Sequence, residues 1–118
     1  MPTNSFILVL EPDDLLRALL ERWLREAGYA VHAAAGIEGR HGALPDLIVA
    51  DLPMPRRSAA LLRALRTAYA APLLLTSGRF GRGLGDSASA AGQLAVRGVL
   101  PKPYTEAELL AAVQRALT

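Results

Sequence analysis

The sequence of 118 residues contains no cysteine. Disulfide scaffolds, thiolate zinc sites and cysteine nucleophiles are therefore excluded. Aromatic residues are scarce, at 5% of the chain, and lysine occurs once, as Lys102, against twelve arginines. No apolar run approaches the length of a membrane span, and the N-terminus lacks a basic segment leading into a signal-like apolar core. A cytoplasmic protein without a membrane partner is the expectation. The arginines are spread from Arg17 to Arg115 and the net charge is only +2. Nucleic-acid binding requires a clustered basic stripe, so scattered arginines predict solvated helix faces and no nucleic-acid partner. What is abundant is apolar: 52% hydrophobic against 20% charged describes a folded chain rather than a disordered one. The length suits a single domain, residues 1–118, with one core.

Apolar runs punctuated by turn signals set the order of elements. Phe6–Leu10 is short, apolar throughout and ended by "EPDD", the pattern of a buried strand. Leu15, Leu16, Leu19, Leu20, Trp23 and Leu24 then repeat with helical period, with Asp13 or Asp14 as cap and Gly28 as stop. A second strand is expected over Tyr29–Ala34. Gly36–Ala43 holds three glycines and supports one or two helical turns at most. "PDLIVAD" supplies a third strand, Leu47–Ala50, ending at Asp51. Ser58 can cap a helix from Ala59 to about Tyr69, and Pro72 introduces a fourth strand, Leu73–Thr76. Gly78–Gly85 reads as a loop, Ser87–Ala95 as a small-residue helix and Val99–Leu100 as a fifth strand. Thr105 and Glu108 fit a capping box for a last helix with Leu109, Leu110, Val113 and Leu117 inward.

Strands that are apolar on both faces, alternating with helices, predict an α/β fold with a covered parallel sheet. Five such units in this length fit a flavodoxin-like doubly wound (βα)5 sandwich with strand order 2-1-3-4-5. In that order ligands gather outside the carboxyl ends of the strands, at the switch point between the first and third. Glu11 ends the first strand there and Asp51 the third, with Thr76 after the fourth and Lys102 after the fifth. Clustered carboxylates favour a hard dication such as Mg2+. A hydroxyl and an ammonium beside them suit a phosphoryl group.

With these residues in view, the chain resembles the receiver domain of bacterial two-component response regulators, from about Phe6 to Leu117. "LIVADLPMP" matches the family's apolar strand, phosphoacceptor aspartate and following proline. "LLLTSG" matches the end of strand four, "LPKPY" the Lys-Pro-aromatic signature and "LLRALLERWLREAGYAV" the first helix and second strand. The resemblance implies a phosphoacceptor signalling domain rather than an enzyme. Asp51 would accept phosphate from a histidine kinase or phosphotransfer protein, and Thr76 and Lys102 would bind the phosphoryl group. Magnesium would be held by Glu11, Asp13, Asp51 and the backbone carbonyl of Pro53. The face formed by the family's fourth helix, fifth strand and fifth helix would meet a downstream protein or a second copy.

The chain also departs from the family. Counting back from Gly28, the family's two adjacent aspartates fall on Glu11 and Pro12, and proline offers no side-chain oxygen. Weak or absent magnesium binding is the expectation. Val99 stands where the family's mobile aromatic sits, and Pro101 stiffens the approach to Lys102. The second helix is about a turn short, and the loop after Thr76 is enlarged. Asp13 and Asp14 fit a capping and dipole-matched role better than a metal role, Asp14 more clearly than Asp13. Tyr104 is expected to pack beside the Lys102-Pro103 bond, which in this family is often cis. The alternative function is a pseudo-receiver, a protein–protein interaction module that works without phosphorylation. An aspartyl-phosphate phosphatase would need an aspartate at Pro53. A flavodoxin would need a phosphate loop where "LEPDD" is acidic. Gly81, Gly83 and Gly85 match neither dinucleotide nor Walker spacing, and His32 and His41 receive no role.

Overall fold

The computed structural model describes residues 5–36, 44–51, 55–77 and 96–118. Pro53, the short helical stretch expected within 36–43, the glycine-rich loop of 78–85 and the helix around 87–95 lie outside them, except Gly36 itself. So does the fourth helix of the expected partner face. The described elements are β1 (Phe6–Leu10), α1 (Asp14–Glu26), β2 (Ala30–Ala34), β3 (Leu47–Asp51), α2 (Pro55–Ala68), β4 (Leu73–Ser77), β5 (Gly98–Pro101) and α3 (Glu106–Leu117). All strand pairings are parallel, and the order β2-β1-β3-β4-β5 is the doubly wound arrangement expected. No helix among the described residues is long and apolar enough to cross a membrane.

Alternation along each strand divides the core in two. Ile7, Val9, Leu47, Val49, Leu74 and Leu100 join Leu20 and Leu24 of α1 and Leu109, Ala112, Val113 and Ala116 of α3. Leu8, Leu10, Ile48, Ala50, Leu73, Leu75 and Val99 pack with Leu62, Leu65 and Tyr69 on the α2 side. Successive side chains point to opposite faces, so uniformly apolar strands satisfy both layers at once. Each fully buried leucine or isoleucine contributes about 1.5–3 kcal/mol through removal from water.

The helix ends follow local chemistry. Asp13 caps α1, its Oδ1 accepting the Leu16 N–H at 2.9 Å. At the other end Tyr29 N–H donates to Leu24 O and Gly28 N–H to Arg25 O, a closing pattern that places a left-handed residue after the cap. Gly28 takes it, with φ of 102°, a conformation side chains resist. Thr105 and Glu108 form the expected capping box on α3.

Three local expectations are corrected. α2 begins at Pro55, four residues before Ala59, because proline's fixed φ suits the first helical turn and its missing N–H costs nothing there. Ser58 therefore lies within the helix rather than capping it. On α3, Leu109 and Val113 are buried, but Ala112 and Ala116 complete the stripe while Leu110 and Leu117 only flank it. Small alanines let the helix lie close to the sheet, so Leu109 and Val113 fill the centre of the stripe while Leu110 and Leu117 pack at its edges. Leu15 of α1 is 81% exposed, lying outside the inward arc of Leu20 and Leu24.

Candidate functional site

Strand parity brings the site together. Glu11 follows Ile7 and Val9 at two-residue steps, Asp51 follows Leu47 and Val49, Thr76 follows Leu74, and Lys102 follows Leu100. The apolar members of all four series belong to the core layer beneath α1 and α3. Continuing the alternation one step past that layer turns all four polar residues to the same face at the carboxyl edge. The backbone pins them there. Glu11 N–H donates to Ala34 O at 3.0 Å, Lys102 N–H donates to Ser77 O at 2.9 Å, and Thr76 is the register partner of Asp51.

Lys102 joins the two acids. Its Nζ donates to Asp51 Oδ1 at 2.6 Å and to Glu11 Oε1 at 3.0 Å. The acid side chains are only 10% and 2% exposed, and that of Lys102 is 25% exposed. Burial is the largest influence on the ammonium and works to lower its pKa. The hydrogen bonds to Asp51 and Glu11 and the attraction of both charges outweigh it, leaving the pKa raised above 10.5. Lys102 thus stays charged, the condition for a lysine wedged between carboxylates. Asp51 Oδ2 has no hydrogen-bond partner among the described residues.

The acidic stretch after β1 is organised around Glu11 rather than around the aspartates. Glu11 Oε2 accepts the Asp13 N–H at 3.0 Å, so both carboxylate oxygens are engaged. Its carbonyl accepts from Arg17 Nη1 at 3.0 Å, and Arg17 Nη2 pairs with Asp14 Oδ1 at 2.6 Å. Arg17, which sequence reasoning passed over as one surface arginine among many, clasps this turn from one helical turn away. Its spacing of three residues from Asp14 was the available signal. Pro12 is exposed and Asp13 is turned to its cap.

The same geometry bears on magnesium. Glu11 spends its oxygens on Lys102 and the Asp13 amide, Asp13 Oδ1 serves Leu16, and Asp51 Oδ1 serves Lys102. Among the described residues no group of three or more acid or histidine side chains is placed to hold a metal ion. A hard dication needs about six oxygen ligands, and an ammonium already occupies the space between the two buried acids. As placed, the described carboxylates do not form a divalent-cation site by themselves.

Beyond Lys102 the peptide bond to Pro103 is cis. Tyr104 packs against the α1/α3 core layer, and its hydroxyl is shielded from solvent with no hydrogen-bond partner among the described residues. Burial, and after it the charges of Glu11 and Asp51, push its pKa up, so the phenol stays neutral. Leu16, Leu19, Trp23, Lys102, Pro103 and Tyr104 line a pocket of about 230 Å3. Val99 packs on the opposite face with the α2 cluster.

No family model matches the chain. It is 30% identical over 118 residues to the transcriptional regulatory protein PdtaR of Mycobacterium tuberculosis, covering 95% of this chain and 56% of that protein. The chain therefore spans about half the length of the curated relative it matches. Among solved structures, it superposes on the chemotaxis response regulator CheY4 of Vibrio cholerae with a TM-score of 0.77 and 24% identity, over 97% of this chain and 99% of the other. The non-phosphorylated HemR receiver domain of Leptospira biflexa gives 0.78 and 23%, over 98% and 95%. A response regulator from Thermotoga maritima gives 0.79 and 16%, over 98% of each chain.

Proposed function

We propose that this chain, which has the receiver-domain fold of response regulators, is a signalling domain that accepts a phosphoryl group on Asp51. One observation carries the reading. A nearly buried aspartate with one oxygen held by the lone lysine, and the other without a partner among the described residues, stands in register with a buried threonine. An ammonium fixes the carboxylate and stands ready for the charge that arrives, while the second oxygen remains available to attack.

In the proposed transfer, Asp51 Oδ2 forms the O–P bond as the P–N bond of a donor phosphohistidine breaks. The electron pair leaves with the imidazole nitrogen, which then takes a proton from solvent. Lys102 follows the phosphoryl oxygens, which bring roughly −1.5 to −2 charge, and the Thr76 hydroxyl is available as a donor to one of them. A histidine kinase or phosphotransfer protein supplies the phosphate, and a downstream protein or a second copy of the chain reads the result.

A second reading is favoured by a specific observation: Pro12 offers no ligand, and Lys102 already pairs with both Glu11 and Asp51. Under it the domain is an interaction module that works without phosphorylation. One experiment separates the two. Incubation with acetyl phosphate, with and without magnesium, should add one phosphoryl mass to the protein and none to Asp51→Asn. Absence of an adduct, in conditions that modify an ordinary receiver, leaves the interaction module.

A further inference from the structure

Glu11 and Tyr104 are the two buried polar groups of the site for which phosphate chemistry has no direct use, and they are complementary. Glu11 is 2% exposed, and its Oε1 accepts from nothing except Lys102 among the described residues. The Tyr104 hydroxyl is the only enclosed side-chain polar atom among those residues that has no partner. One is a buried acceptor held by a single movable cation, and the other is a buried donor with nothing to bind.

We infer that Tyr104 is the responding residue of this domain: when Lys102 leaves Glu11, the Tyr104 hydroxyl donates to the Glu11 carboxylate in its place. The trigger rests on the phosphoacceptor reading, since a phosphoryl group on Asp51 would draw the ammonium away. The response does not depend on that reading. A buried carboxylate oxygen stripped of its cation is strongly disfavoured in a low-dielectric interior. The remedy that leaves the fold unchanged is a neighbouring donor not already committed. The charges of Glu11 and Asp51 both act on the Tyr104 phenol and, with burial, keep its proton on, which is the form that donates. Tyr104 and Lys102 line one pocket of about 230 Å3, which puts the ring beside the ammonium that holds Glu11. Val99, at the position of the family's mobile aromatic, faces the other layer and does not compete. Trp23 shares that pocket, so movement of Tyr104 alters the surroundings of the only tryptophan in the chain. The signal would leave through α1 and the start of α3.

The test uses tyrosine labelled with carbon-13 at the ring carbon bearing the hydroxyl, with the Tyr104 resonance assigned by its loss in Tyr104→Phe. Wild-type protein is compared with beryllofluoride-treated protein and with Lys102→Met, and adduct formation is followed separately by mass after acetyl phosphate. The Tyr104 resonance should shift in both perturbed samples. Adding Glu11→Leu, which removes the acceptor, should abolish the shift in Lys102→Met, and Trp23 emission should change in parallel. A modified Asp51 with an unmoved Tyr104 resonance overturns the inference. So does a folded Lys102→Met with Tyr104 unmoved. If Lys102→Met does not fold, Asp51→Asn/Lys102→Met, which carries one buried charge fewer, takes its place with the same two outcomes. No adduct together with a shift in the lysine variant removes the phosphoacceptor reading and leaves this inference standing.

Discussion

Asp51 and Lys102 stand 51 residues apart in sequence and 2.6 Å apart in space, carboxylate to ammonium. The bond closes β3 onto the segment after β5 across β4, and through Glu11 it reaches β1 as well. One side chain thus ties the carboxyl ends of three parallel strands whose acids would otherwise repel one another.

Removing that side chain should be costly. Lys102→Met leaves two nearly buried carboxylates facing each other, and uncompensated buried charge typically costs about 3–5 kcal/mol. Asp51→Asn in the same background should recover part of it by removing the like charge. Urea denaturation of the three proteins checks this. A loss below about 1 kcal/mol would mean that the ion pair behaves like a surface one.

Alkaline pH provides a second test, with its sign fixed by two raised values. Lys102 is raised above 10.5, despite burial acting against it, by its bonds to Asp51 and Glu11. Tyr104 is raised above 10.0 by burial and then by the same two charges. In both cases the folded chain holds its proton more tightly than the unfolded chain does. Their contributions are complete below pH 10.5 for Lys102 and 10.0 for Tyr104, and are lost as pH climbs through the raised values. Denaturation midpoints should therefore fall above about pH 10, less steeply in Tyr104→Phe than in wild type. Equal steepness in the two proteins would remove Tyr104 from the account.

Asp13 should behave as a cap. Asp13→Ala is expected to lower stability by about 1 kcal/mol, while Asp13→Asn, which still accepts the Leu16 N–H, should be near neutral. If both variants match wild type in thermal and urea unfolding, the Asp13–Leu16 bond contributes nothing.

Pro12→Asp should strengthen magnesium binding. It adds a carboxylate beside Glu11 at the position where the receiver pattern carries one, and each added hard oxygen ligand favours the dication. Titration followed by Trp23 fluorescence or calorimetry measures it. Unchanged affinity would mean that the register assigned to "LEPDD" is off by a residue.

Much of this was readable from residue order. Every described strand was anticipated to within a residue at either end, because all-apolar runs bounded by proline, glycine and acid admit few other readings. Asp51, Thr76 and Lys102 could be assigned to one crevice from topology alone. The start of α2 was missed because Ser58 looked like its cap, and only the path of the chain shows Pro55 used as a first helical residue. On the inward face of α3 only Ala112 and Ala116 were missed, because leucine outweighs alanine on hydrophobicity, whereas close helix–sheet packing also selects by size.

The sequence by itself determined the strand order, the two apolar layers and the edge of the sheet on which the polar residues fall. Period-two alternation and strand–helix alternation are local properties that add up to a topology. Tertiary structure alone decided how those polar residues are spent. Bonding in the folded site makes Glu11 the centre of the acidic stretch and engages both its oxygens. The same packing leaves one phenol, Tyr104, without a partner among the described residues. A sequence shows which donors and acceptors exist, but their pairing depends on distances across strands that only folding brings together.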